Sequence, residues 1–170
     1  MLSAAEYRIV PDFFRTVNKN EKLIIRNPNA TRPWQHVLEP LSGYLLLASK
    51  LYLEGNKFSG GWNLGPLEQA NHKVSELIDA VIKYYGKGAV IFDDASEKLH
   101  EANMLKLDIS KAQWNLKWKP VLSFDELIKF TVDGYVSEFD SNDVYERRKK
   151  QILDYVKLAK QKNIEWAKKQ

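Results

Sequence analysis

The chain has 170 residues, 44% of them hydrophobic and 28% charged, with a formal net charge of +4; that length is enough for one core, so one domain is the first expectation. It contains no cysteine, which excludes disulfides and thiolate metal sites and fits a reducing compartment. No apolar run approaches the roughly 18 residues of a membrane span, and residues 1–7 lack the basic region and apolar stretch of a signal peptide, so a cytoplasmic protein with no membrane partner is expected.

The charge is unevenly placed. From Asp143 onward there are nine Lys and Arg against four Asp and Glu, which leaves residues 1–142 slightly acidic. Such asymmetry marks an interaction tail or, more often, a solvated helix face. Nucleic acid is not an expected partner, because a phosphate-backbone binder spreads its charge over a face with interleaved aromatics.

Along the chain, Arg8-Ile9-Val10-Pro11-Asp12 predicts a helix start, with Pro11 at the first helical position, Asp12 complementing the dipole, and an apolar stripe of Val10, Phe13, Phe14 and Val17. Its end falls near residues 18–20. Residues 22–26 read as a short strand around Leu23-Ile24-Ile25, and Asn27-Pro28-Asn29 as a turn. Arg32 then leaves the turn, and Pro33 biases it toward an extended conformation. A guanidinium held this way suits a phosphate, whose oxygens its planar fork can engage in parallel. Spacing alone favours the commoner outcome, a surface Arg paired with a carboxylate.

Trp34 and Val37 read as buried, and Pro40 marks the first turn of a helix over residues 38–53, apolar on nearly every side and therefore packed between other elements. His36 beside Glu39 has the parts of a proton relay, but without a second acid or a nucleophile nearby a structural histidine is the better reading. His36, His72 and His100 lack metal-ligand spacing. Residues 60–66, G-G-W-N-L-G-P, read as a short buried strand between turns. A loop over 67–73 leads to a helix over 74–85 with the stripe Leu77, Ile78, Val81, Ile82 and Tyr85, and residues 89–92 form another strand.

Ser110 is the expected cap of a short helix that ends before Pro120. Ser123 with Glu126 is a capping box, opening a helix that runs to about Phe139. Residues 140–143 break the chain before a last helix from Val144 to about Lys168, whose apolar residues Tyr145, Ile152, Tyr155 or Val156, Ala159 and Trp166 share one face. A continuous helix of that length spans roughly 37 Å and would contact a partner or dock on its own chain.

The string T-R-P-W-Q-H-V-L-E-P-L-S-G-Y-L (residues 31–45), with R-I-V-P-D-F-F-R upstream and W-N-L-G-P downstream, closely resembles the CDP-glucose 4,6-dehydratases, nucleotide-sugar enzymes of the extended short-chain dehydrogenase/reductase superfamily. The likeness runs from about Arg8 to about Tyr135 and covers only the C-terminal part of the family's sequence. It implies an α/β fold, mainly helical with a few short strands: the substrate-binding part of an extended Rossmann-type enzyme, without the dinucleotide-binding half. Residues 1–139 would be the nucleotide-sugar-binding domain and 140–170 a basic amphipathic helix.

The resemblance also implies roles. Arg32 matches the pyrophosphate-binding Arg; Arg8 and Ile9 at the helix entry, with Leu23 and Ile25 on the strand, would bracket the cytosine of a CDP-sugar. The loop before the helix over 74–85 would follow the sugar-phosphate, nominating Lys73 or Asn71, and His100 falls in the segment that crosses the ribose. Read without the resemblance, Ile9, Leu23 and Ile25 are core residues and Lys73 is a solvated lysine. Ser110 to Pro120 resembles the superfamily's late marker, with Trp118 closing the domain and Lys117 where Gly is usual.

The family cycles NAD internally while converting CDP-glucose to CDP-4-keto-6-deoxyglucose and water, a step toward the deoxysugars of lipopolysaccharide O antigen. That lyase chemistry requires a Gly-rich turn at a helix N-terminus and a Tyr-x-x-x-Lys pair. The eight glycines form no such turn, and Tyr145 with Lys149 lies downstream of Arg32, on the wrong side. No catalytic residue is assigned, NAD is expected to bind only the full-length family member, and the chain alone is expected to be inactive. A homo-oligomer or a complementing N-terminal half are the implied partners. Two further readings stay open: a non-catalytic nucleotide-sugar-binding or regulatory remnant, and an interaction protein acting through its basic tail.

Overall fold

The computed structural model describes residues 8–67, 71–93, 105–140 and 143–168. The described elements are mainly helical: α1 (Ile9–Asn18), α2 (Leu38–Glu54), α3 (Val74–Tyr85), α4 (Ser110–Asn115), α5 (Phe124–Asp140) and α6 (Val144–Gln161) accompany four short strands, β1 (Leu23–Ile25), β2 (Thr31–Arg32), β3 (His72–Lys73) and β4 (Val90–Phe92). They separate into two compact units: residues through Arg32 with those from His72 to Leu105, and residues 33–71 with those from 106 onward.

In the first unit, β1 pairs in parallel with β4, Leu23 facing Val90 and Ile25 facing Phe92, while β2 pairs antiparallel with β3. The apolar stripe of α1 buries Phe13 and Phe14, and their rings meet Tyr85 of α3 edge-on, at 6.3 and 5.1 Å between centroids. Such aromatic pairs add about 1 kcal/mol beyond the area they bury. Leu77, Ile78 and Val81 of α3 complete that core. Gly88, at φ +106°, follows; a Cβ there would lie 2.6 Å from the Phe13 ring, so the chain can pass this point only as glycine. Pro11 stands third in α1 rather than first. Its missing N–H falls among the amides that a first turn leaves unbonded in any case.

In the second unit, Phe58, Leu64, Ile109, Ala112, Leu116 and the fully buried Trp118 form one cluster. Val121, Tyr155, Ala159, Ile164 and Ala167 form another. Trp118 thus closes the domain as its position implied. Lys117, where glycine was the expectation, adopts φ +54°, and the Trp118 N–H bonds the Ala112 carbonyl at 3.1 Å. The helix stop therefore survives in a residue that pays a left-handed penalty. Ser110 is the first residue of α4, not its cap; its N–H bonds the Asp108 carboxylate at 2.8 Å. The Ser123–Glu126 capping box is present, with Ser123 N–H donating to Glu126 at 2.6 Å and Glu126 N–H to Ser123 Oγ at 3.3 Å.

Three expectations need correction. Residues 60–66 form no strand; a strand needs a neighbour, and this segment is instead tied by side chains, with Gln35 Nε2 donating to the Leu64 carbonyl (3.0 Å), Asn63 Nδ2 to the Asp108 carbonyl (3.0 Å) and Lys111 Nζ to the Gly61 carbonyl (2.9 Å). Val37 is 59% exposed rather than buried, and α2 leaves Leu41, Tyr44, Leu45 and Tyr52 exposed with it. The last helix stops at Gln161, where Asn163 turns left-handed at φ +52° and the Ile164 N–H returns to the Ala159 carbonyl at 3.0 Å. Of its proposed apolar face, Tyr155 and Ala159 are buried, whereas Tyr145 and Ile152 are exposed.

Candidate functional site

Six of the seven candidate residues lie in the first unit, and His100 lies outside the described residues. Arg8 precedes α1 in extended conformation, its carbonyl accepting from Asp12 N–H at 2.9 Å, and Ile9 is the first helical residue, half-buried. Along β1, Leu23 is half-buried and Ile25 is 5% exposed, while Ile24 between them is 59% exposed. Alternation along a strand explains the pattern: Leu23 and Ile25 share the covered face.

Arg32 is extended, as Pro33 required, and the extension is fixed by pairing as well. Thr31 stands opposite Lys73 and Arg32 opposite His72. The turn before it closes with Val74 N–H on the Ala30 carbonyl at 2.9 Å and Ser75 N–H on the Pro28 carbonyl at 3.0 Å, so the start of α3 clamps the turn that delivers Arg32. Arg32 as a residue is half-buried, and its Nη1 donates to the Thr31 carbonyl at 2.9 Å.

Lys73, the other candidate cation, is exposed at the head of α3. Its N–H donates to Glu76 Oε2 at 3.1 Å, and His72 Nδ1 lies 3.1 Å from the same oxygen. That backbone bond, first among its causes, holds the Glu76 carboxyl below the usual range. Opposite residues of an antiparallel pair project to the same side, so His72 shares the face of Arg32 and Lys73 that of Thr31. The sequence carries no signal for this placement of His72, because a two-residue ladder has no hydrophobic alternation to reveal it.

In the second unit, Leu67, Asn71, Lys106, Leu107, Asp108, Ile109, Ser110 and Gln113 line a hollow, which includes the alternative loop candidate Asn71. A separate groove between α5 and α6, of about 590 Å³, is lined by Lys129, Phe130, Asp133, Arg148, Gln151 and Asp154 among others, none of them candidates.

His36 and Glu39 are both buried, but they do not form a relay. The His36 Nδ1 accepts from Leu38 N–H at 3.3 Å, and its ring meets Phe130 edge-on. Burial first, and the Arg148 guanidinium second, lower its pKa to about 4, so it is neutral at physiological pH. The Glu39 carboxylate accepts from Val121 N–H at 3.0 Å, Leu122 N–H at 2.7 Å and the Tyr155 hydroxyl at 2.8 Å. These partners come from two separate segments, the stretch before α5 and α6 itself, which makes Glu39 an internal tie.

No protein-family model matches the chain. It is 41% identical over 152 residues to a CDP-glucose 4,6-dehydratase of Salmonella typhimurium, covering 89% of this chain and 42% of that protein. It is 31% identical over 120 residues to GDP-mannose 4,6 dehydratase 1 of Arabidopsis thaliana, covering 69% and 31% respectively. The chain thus spans less than half the length of the curated relatives it matches.

Among solved structures, a UDP-glucose-4-epimerase from Stenotrophomonas maltophila with bound NAD and formylated UDP-arabinopyranose matches 82% of this chain and 42% of its own, with a TM-score of 0.69 at 17% identity. The Bordetella bronchiseptica enzyme WbmG in complex with NAD and UDP matches 85% and 41%, with a TM-score of 0.57 at 19% identity. At these identities the likeness establishes the fold, that of part of a Rossmann-type epimerase or dehydratase.

Proposed function

The chain is homologous to the CDP-glucose 4,6-dehydratases over nearly all its length, and we propose that it supplies the nucleotide-sugar-binding part of such an enzyme, with a CDP-sugar as ligand. The observation that carries this reading is Arg32: it stands in the matching T-R-P-W-Q-H-V run, half-buried, extended by Pro33 and held in a ladder clamped by the first turn of α3. A fixed guanidinium can engage two diphosphate oxygens at once.

The described elements do not fit the NAD of the full-length family. No strand among them leads through a Gly-rich turn into a helix N-terminus, the arrangement a dinucleotide pyrophosphate needs, so hydride transfer is assigned to no residue of this chain. An NAD-binding polypeptide, in the same protein or beside it, would supply that chemistry. The tail reading is disfavoured by Tyr155 and Ala159, which bury α6 in the core of its unit.

Titration of CDP and UDP into the unmodified chain, Arg32→Ala and Arg32→Lys tests the assignment. Charge-assisted bonds are worth about 1.5–3 kcal/mol, so Arg32→Ala should weaken binding roughly ten- to a hundredfold, and Arg32→Lys should recover part of it because the charge remains and the fork is lost. Equal affinities for folded unmodified and Arg32→Ala chains would remove the phosphate site from this reading.

A further inference from the structure

We propose that the groove between α5 and α6 is a docking site for an acidic amphipathic helix of another polypeptide. The two helices of this chain run antiparallel. Gln151 Nε2 donates to the Phe130 carbonyl at 2.6 Å, Lys162 Nζ reaches back to Glu126, and a Cβ on Gly134 would stand 2.8 Å from Arg148 Nη1. The opening beside these contacts is about 590 Å³, lined from Glu126 to Ser137 on one wall and from Arg147 to Gln161 on the other. At about 1.5 Å per residue the walls are roughly 17 and 21 Å long. That is the length of a helix of about 11–14 residues, and a longer trough than a free phosphate fills.

The floor is apolar and the rims are cationic. Phe130 and Leu158, both half-buried, line the groove and pack against the cluster of Val121 and Tyr155. Five Lys and Arg line the walls against three Asp and Glu. Two of those acids are already engaged, Glu126 with Lys162 and Asp154 with Lys150. Lys129, Arg147 and Lys157 are exposed, with no ion pair among the described residues. Because Gln151 comes level with Phe130 and Lys162 with Glu126, Lys157 falls at the level of Lys129, and Arg147 toward the opposite end. Like charges on two sides of one gap repel; a carboxylate entering between them replaces that repulsion with two attractions. Helix-in-groove recognition uses this layout, with apolar anchors one turn apart for the floor and complementary charge at the rims selecting the partner. A nucleic-acid strand suits the groove less well. Phe130, the aromatic in its lining, is packed edge-on with His36 and Tyr155, whereas strand binders offer a series of rings on which bases stack. Here α6 acts as one wall of a folded groove rather than as a free tail.

The test is fluorescence anisotropy of a labelled helical peptide of about 14 residues, leucines on one face and glutamates on both flanks, titrated with the full chain. A copy with lysine for glutamate and a single-stranded oligonucleotide are titrated beside it. Lys129→Glu with Lys157→Glu reverses the rims. Lys83→Glu with Lys160→Glu makes the same change in net charge at exposed positions outside the groove. The expected result is binding of the acidic peptide and not of its lysine copy, about tenfold weaker in the groove pair and unchanged in the outside pair, at equal melting temperatures. Lys129→Gln with Lys157→Gln removes charge without adding repulsion; its affinity should lie between, and it carries the test if the Glu pair melts early. No binding of the acidic peptide, or equal loss in the groove and outside pairs, would overturn the proposal. Oligonucleotide binding that the groove pair abolishes, without peptide binding, would assign these lysines to a nucleic-acid strand and overturn it as well.

Discussion

His36 and Glu39 sit within one turn of each other at the start of α2, both buried, and acid moves them in opposite directions. The folded pKa of His36 is lowered from 6.5 to about 4, so its contribution is fully present above the unfolded value and is lost as pH falls from about 6.5 toward 4. That interval corresponds to roughly 3 kcal/mol. Burial raises the Glu39 pKa, against the pull of two backbone amides, the Tyr155 hydroxyl and Lys162; its protonation therefore favours the fold as pH falls toward the usual carboxylate value. His36→Asn keeps an acceptor for the Leu38 N–H and removes the titration. Urea denaturation of both proteins between pH 7 and 4 should show the unmodified chain losing more stability than the variant, on the order of 3 kcal/mol; parallel curves would contradict the assignment. Lys117 is the other residue where a local cost is visible. It holds a left-handed conformation at φ +54°, which costs an L-residue about 1 kcal/mol, and Lys117→Gly should raise stability by several tenths of a kcal/mol to 1 kcal/mol. A lower denaturation midpoint for Lys117→Gly would show that the Lys117 side chain outweighs its backbone.

At the scale of elements, α6 is a structural part of its unit. Tyr155 donates to Glu39 at 2.8 Å and lies 3.3 Å from Ser42 Oγ, Ala159 is fully buried, and Gln151 Nε2 donates to the Phe130 carbonyl of α5 at 2.6 Å. Removing residues 141–170 would leave Glu39 buried without one of its donors and uncover Val121 and Phe130. The same removal takes Tyr155, Ala159, Ile164 and Ala167 out of their core cluster, and full burial of a large apolar side chain is worth about 1.5–3 kcal/mol, so the truncated chain should lack a cooperative melt. A truncated chain that melts like the full one would show that α6 is an independent arm. This dependence was only half legible in the sequence. The helices over 9–18, 74–85 and 124–140 could be read because period, caps and stops are local. The Ser123–Glu126 box is one such signal, and Asp143, whose carboxylate accepts from Glu146 N–H at 3.0 Å, is another. The end of α6 was not, because Asn163 is an inconspicuous left-handed stop. Strands fared worse still: residues 60–66 had strand composition and no partner, whereas β3 had a partner and no strand composition.

For the whole molecule, the unresolved demand is apolar surface. The inner face of α2 carries Glu39, Ser42 and Gly43, the last so close to Leu64 that a Cβ would lie 2.5 Å from it, and its outer face carries Val37, Leu41, Tyr44, Leu45 and Tyr52 at 59, 43, 57, 73 and 89% exposure. These positions recur at helical spacing and form one continuous stripe. In the sequence the same pattern predicted a helix packed between other elements; the residues were read correctly, but among the described residues only one side is covered. The residues of the β2–β3 ladder divide the same way, since Arg32 announced itself through a turn and a proline, while His72 needed the ladder to bring it opposite. Contiguous apolar patches of this kind are rare on lone soluble chains and mark surfaces that meet another body. The relatives are more than twice as long as the segment this chain matches, so the stripe faces a role that a further polypeptide, or a second copy of this chain, can fill. The chain on its own should therefore associate in solution or bind an apolar-surface dye. Leu45→Glu combined with Tyr52→Glu should reduce both, and because both positions are exposed, surface substitution there should leave the helical circular dichroism unchanged. A monomer that binds no such dye before substitution would show that the α2 stripe is tolerated as bare surface, and would remove the physical case for a complementing partner at this face.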